Sequence, residues 1–115
     1  MLDSNNKVLF VGTANGHGSL LARHGIAVES VAQPEDAVTY LKHTPVPLVL
    51  LDSTQLSVDL SSLAGCLKIA FPFVKVVVLT ASGQKPANVD TVLMQSVASD
   101  VFLTVVQQHL SLPKA

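Results

Sequence analysis

Pro47-Leu48-Val49-Leu50-Leu51-Asp52 decides the fold: four consecutive apolar side chains between a proline and a carboxylate. A strand with one wet face alternates apolar and polar residues. A strand covered on both faces of a parallel sheet runs apolar without a break. Lys7-Val8-Leu9-Phe10-Val11 and Lys75-Val76-Val77-Val78-Leu79 have the same character, and residues 26–31 and 90–94 add two further strand candidates.

Segments of helical periodicity lie between these runs. Pro34 suits a first helical turn, and Glu35 and Asp36 then meet the positive end of the dipole. Ala37, Val38 and Leu41 form the inward face of this helix, which closes at Pro45. Leu60, Leu63, Ala64, Leu67 and Ala70 mark the next helix until Pro72. Gly65 weakens that helix by about 1 kcal/mol relative to alanine. A last helix starts near Ser99-Asp100, a plausible N-cap pair, and runs to about Leu110. Strand–helix alternation of this kind predicts an α/β domain with a parallel sheet, helices on both faces, and its functional residues at the carboxyl ends of the strands.

Composition narrows the function. The chain has 115 residues, with 7 Lys+Arg against 8 Asp+Glu, and charged residues are only 13% of it. A typical soluble domain carries roughly 25%. The length predicts one domain, residues 1–115 with a core over about 7–110. One cysteine excludes a disulfide framework and a Cys-rich zinc site. The absence of a Lys/Arg cluster argues against nucleic acid and anionic membranes as partners. The longest apolar run, residues 46–51, is far short of a bilayer span, and the first residues lack the features of a signal peptide. A soluble cytoplasmic domain is the expectation.

At the strand ends the sequence resembles the receiver domain of two-component response regulators, over about residues 7–110. Lys7-Val8-Leu9-Phe10-Val11 is similar to that family's first strand, and Pro47-Leu48-Val49-Leu50-Leu51-Asp52 to its third, which ends on the phosphoacceptor aspartate. Asp59 falls where the family has an aspartate seven residues on. Val76-Val77-Val78-Leu79-Thr80-Ala81 resembles the fourth strand with its switch threonine. The resemblance implies a flavodoxin-like three-layer sandwich with a five-stranded parallel sheet of order 2-1-3-4-5. It also implies Asp52 as the phosphoacceptor-like residue and Thr80 as the switch-like one.

Set against the family pattern, the chain departs at most of the reacting positions. The two acidic residues that hold Mg²⁺ after the first strand are replaced by Gly12 and Thr13. The lysine after the fifth strand is replaced by Gln95 and the following proline by Ser96. Leu56 and Leu60 stand for a proline and a glycine near the phosphoacceptor, and Val92 for an aromatic switch residue. Phosphoryl transfer to a carboxylate needs the charge on three equatorial oxygens neutralised. Without the acids and the lysine, Asp52 lacks that help, so the chain reads as a degenerate, or pseudo-, receiver. It is expected to take no metal or other cofactor and to be no enzyme. Only 14 residues separate Thr80 from Gln95, so the family's fourth helix is expected to be reduced or missing.

The remaining candidates read more simply. Gly12-Thr13-Ala14-Asn15-Gly16-His17-Gly18-Ser19 follows a strand and opens a helix, but lacks the ending of a P-loop and the spacing of a dinucleotide fingerprint. It reads as a loop spanning a shortened connection, with a phosphate or nucleotide sensor as the alternative. His17, His24, His43 and His109 have no i, i+4 pairing, and Cys66 reads as a small core side chain. In the last helix Ala98, Val101, Phe102, Leu103, Val105, Val106 and Leu110 spread over roughly 200° of the wheel, where a helix packed on one side needs little more than about 100°. Val101, Phe102, Val105 and Val106 are therefore expected to form an interface for a protein partner or for a dimer, together with the fifth strand. The alternative is that they line space left by the reduced fourth helix. The expected function is signal transduction through protein–protein interaction, without conventional aspartyl phosphorylation; a working phosphorelay receiver using Asp52 is the alternative.

Overall fold

The computed structural model describes residues 7–12, 15–44, 46–53, 59–81, 88–94 and 98–110, with the side chains of 15–17 set aside. Five strands, β1 (Lys7–Val11), β2 (Ala27–Val31), β3 (Leu48–Asp52), β4 (Lys75–Thr80) and β5 (Thr91–Met94), form one sheet of order β2-β1-β3-β4-β5. Every pairing is parallel. Among the described residues, four helices connect and cover them: α1 (Asn15–Arg23), α2 (Pro34–His43), α3 (Leu60–Ala70) and α4 (Ser99–Leu110). This is the flavodoxin-like order expected from the sequence.

Unbroken apolar strands become two cores through the alternation of side chains. Leu9, Val11, Val49, Leu51, Val76 and Val78 pack with Ala37 and Leu41 of α2 and with Ala64 and Leu67 of α3. Their neighbours Val8, Phe10, Leu48, Leu50, Val77 and Leu79 pack with Leu21 of α1 and with Phe102, Val106 and Leu110 of α4. The central strands β1, β3 and β4 are therefore buried on both faces, whereas β2 at the edge keeps Ala27, Glu29 and Ser30 exposed.

The helix ends follow local chemistry. Gly25, at φ 79°, ends α1 in a Schellman motif: its N–H donates to Ala22 O, that of Ile26 donates to Leu21 O, and Ile26 and Leu21 are both buried. His24 Nδ1 donates to Leu20 O at 3.0 Å, which gives the histidine a structural role at the helix end. Asp59 caps α3, accepting from Ser61 N and from Ser62 Oγ at 3.0 Å each. Ser99 and Asp100 lie inside α4, with Ala98 O accepting the first helical N–H bond from Phe102, so the expected cap pair sits one position too far along.

Between β4 and β5 the described residues 81 and 88–90 contain no helix, while the stretch 82–87 lies outside the described residues. The helix here called α4 is thus the expected last one. No helix among the described residues is long and apolar enough to cross a membrane.

Candidate functional site

The carboxyl ends of β1, β3 and β4 bring together three of the residues singled out in the sequence. Asp52 closes β3 opposite Leu79, and Thr80 closes β4 one residue further along. These are the buried polar side chains among the described residues, 5% and 6% exposed. Both are partnered, and no buried side-chain nitrogen or oxygen there lacks a hydrogen bond. Ser53 N donates to Leu79 O at 2.9 Å, which continues the β3–β4 pairing past the carboxylate.

Gly12 follows β1 at the same end. Its N–H donates to Val31 O at 2.7 Å, and its φ is 125°. An L side chain is strained at that φ, so the position suits glycine and does not suit the acidic residue expected of a magnesium site. Thr13 and Gln95 lie outside the described residues. Magnesium is held by hard oxygen ligands, usually one or two carboxylates with phosphate oxygens and water. Asp52 is the carboxylate that the described strand ends offer. No group of three or more His, Cys, Asp or Glu residues among the described residues could hold a metal ion. The described strand ends thus supply one carboxylate, the lower end of what the ion usually takes.

The Gly-rich stretch is partly helical, since α1 begins at Asn15 and so includes Gly16, His17, Gly18 and Ser19. Of the residues read as a loop, Gly12 is described before the helix, and 13 and 14 lie outside the described residues. A groove of about 560 Å³ opens between α1 and β2, lined by Gly18, Ser19, Ala22, Gly25, Ala27 and Ser30 among others. None of the described residues that line it is charged.

The expected interface on the last helix divides in two. Phe102 and Val106 are fully buried against the sheet and cannot meet a partner. Helical spacing places them with Leu110 on the inward stripe. Val101 is 46% exposed, Val105 is half-buried, and Met94 at the end of β5 is exposed. Two further expectations are corrected on α3. Cys66 and Ala70 are exposed, because Leu60, Leu63, Ala64 and Leu67 occupy the stripe that faces the sheet.

At the opposite, amino-terminal end of the sheet lies a polar cluster that sequence reasoning did not find. Asp90 Oδ2 accepts from Lys68 Nζ at 2.7 Å and from Val76 N at 2.7 Å. Burial opposes the charge on Asp90, but the Lys68 ammonium, the Val76 N–H and the charge of Lys75 outweigh it and hold the carboxyl below its usual range. Thr91 Oγ1 lies 2.7 Å from His109 Nε2, joining β5 to the last turn of α4. Burial pushes the His109 imidazole down; the Asp90 carboxylate opposes this, and Lys75 and Lys68 add to it. Nearby, Asn88, at φ 70°, donates its side-chain N–H to Ser61 O at 3.2 Å, and a Cβ at Gly65 would lie 3.0 Å from that nitrogen. The sequence signal for this contact was Gly65 itself, since an isolated glycine within a helix often marks a close approach.

No protein-family model matches the sequence, and no curated protein matches it. Solved structures match it along nearly the whole chain. An uncharacterized protein from Neptuniibacter caesariensis superposes with a TM-score of 0.82 at 22% identity, covering 93% of this chain and 88% of the other. A response regulator from Thermotoga maritima gives 0.77 at 20% identity, covering 91% and 97%. The signal receiver domain of a signal transduction histidine kinase from Syntrophus aciditrophicus gives 0.78 at 22% identity, covering 92% and 90%. The chain has the fold of receiver domains.

Proposed function

We propose that this chain is a receiver-like signalling module that acts by binding another protein, without Mg²⁺-dependent phosphorylation of Asp52. The reading rests chiefly on Gly12, whose φ of 125° disfavours any carboxylate-bearing side chain beside Asp52. A second acid beside Asp52 would help gather a divalent ion and an incoming phosphoryl group, and Gly12 supplies none. The fold then serves as a scaffold, and its output is the surface that it displays.

That surface is the flank where β5 meets α4, with Met94, Val101 and Val105 as its apolar contacts. Receiver domains carry signals through protein contacts, and a flank without a reacting site beneath it offers a constitutive contact. Thermal unfolding in excess Mg²⁺ against EDTA tests the metal half of the proposal. An unchanged Tm is expected; a rise that disappears in Asp52→Ala would restore a working magnesium site.

A further inference from the structure

The lysines and arginines form no run in the sequence, yet the fold gathers them at one end of the molecule. In a sheet whose pairings are all parallel, each helix runs back against the strands. Strand starts and helix ends therefore lie together, as the contact of Thr91 with His109 shows for β5 and α4. Lys7 opens β1 and Lys75 opens β4, while Arg23 closes α1, and Lys42 and Lys68 lie in the last turns of α2 and α3. These are all of the described lysines and arginines. Asp90 is the described acid among them, and it is paired with Lys68. The carboxyl end of the sheet has the opposite character. Glu35 and Asp36 lie in the first turn of α2, Asp59 caps α3, Asp100 lies in the first turn of α4 and Asp52 closes β3. No described lysine or arginine lies there, and Glu29, midway along β2, belongs to neither end.

Helix dipoles explain part of this sorting, because each terminus carries about half an elementary charge. The C-termini of four helices supply about two negative charges, fewer than the cations gathered around them. Lys7 and Lys75 open strands, where no helix dipole calls for a charge.

We infer that the amino-terminal end of the sheet is an interaction surface whose occupant is the acidic carboxyl end of a second copy, stacked head to tail. Charge complementarity singles out this occupant. The exposed cations Arg23, Lys42 and Lys75 are spread over both helical layers, and so are the exposed carboxylates Glu35, Asp36, Asp59 and Asp100. Copies stacked in one direction bring the start of α2, with Glu35 and Asp36, toward the end of α2, with Lys42, in the next copy. Their helix dipoles then also follow one another. A two-fold pairing of like ends would set cation against cation. A polyanion fits less well, because the whole chain carries a net charge of −1 and does not draw one in from a distance. The head-to-tail contact leaves one basic and one acidic end open, so the assembly grows.

Sedimentation of the full chain up to about millimolar concentration tests this. At about 0.01 M salt, where charges act over about 30 Å, species larger than a dimer should form. At about 1 M, where they act over about 3 Å, the chain should be a monomer. Two variants at exposed positions separate the ends, and thermal unfolding checks that each folds. Arg23→Gln with Lys42→Gln and Lys75→Gln neutralises the basic end; Glu35→Gln with Asp36→Asn and Asp100→Asn neutralises the acidic end. Each variant alone should associate about tenfold more weakly than the unaltered chain, the worth of a few exposed ion pairs. Mixed in equal amounts, they should form a one-to-one pair that does not grow, because one intact end of each kind remains. The salt dependence of the unaltered chain stands even if a variant fails to fold. A monomer at low salt, association that salt does not weaken, growth that stops at a closed dimer, or folded variants that do not pair when mixed, each overturns the inference. Retardation of a single-stranded oligonucleotide by a chain that stays monomeric, lost in the basic-end variant, assigns this end to a polyanion and overturns it too.

Discussion

Lys68 Nζ stands 2.7 Å from Asp90 Oδ2, so an ion pair joins the last turn of α3 to the residue just before β5. The same oxygen accepts the Val76 N–H at 2.7 Å, which ties β4 into the contact. One carboxylate thereby holds three elements where the connection returns from β4 to β5.

Removing that carboxylate leaves the part-buried Val76 N–H without this acceptor and the Lys68 ammonium with the longer bond to Val74 O at 3.4 Å. Asp90→Ala is expected to cost about 2 kcal/mol, or roughly 8 °C in Tm. Chemical denaturation of wild type and variant measures it. Lys68→Met, which leaves Val76 N satisfied, should cost less.

Acid should weaken the fold in two steps. Burial holds the folded-state pKa of His109 below its ordinary value of 6.5, so its stabilising contribution is complete above pH 6.5 and is lost as pH falls through the folded value. Asp90 is lowered from 3.8, so its contribution is complete above pH 3.8 and is lost at still lower pH. Urea unfolding across a pH series should show both losses. His109→Gln should remove the one that begins at 6.5 and keep the other.

Gly65 and Asn88 should be energetically coupled. Gly65→Ala gains about 1 kcal/mol of helix propensity, but its Cβ would press on the Asn88 side chain that holds Ser61 O. The expected result is no gain in the wild-type background and the full gain in Asn88→Gly, where the obstructing amide is gone and φ 70° suits the new residue. A double-mutant cycle measures the coupling.

The two halves of the α4 stripe should separate by stability. Val101→Glu is expected to shift unfolding by no more than about 0.5 kcal/mol, because Val101 is exposed. Phe102→Ala should cost about 3–5 kcal/mol, because Phe102 is fully buried. Loss of a protein contact in Val101→Glu without loss of fold would place the partner on this flank.

Residues whose neighbours are close in sequence were legible in advance. The apolar run ending at Asp52, the start of α2 at Pro34 and the stop of α3 before Pro72 all follow from local propensity and periodicity. Cys66 and Phe102 were misread because composition alone does not rotate a helix: Leu60, Leu63, Ala64 and Leu67 already filled the inward face of α3, and Phe102 took the inward face of α4. The Asp90 cluster was invisible for a different reason. Its partners Val76 and Lys68 lie 14 and 22 residues away, and only the parallel pairing of β4 and β5 brings them together. At the strand ends the residue types were readable, the missing acid at Gly12 among them, but the φ of 125° that suits this position to glycine belongs to the backbone.

The most direct measurement is intact mass after incubation with a small-molecule phosphodonor and Mg²⁺. A receiver fold acting only as a binding scaffold should return its unmodified mass at every time point. Gain of one phosphoryl group, absent in Asp52→Ala, would contradict the account and make this chain a working phosphoacceptor.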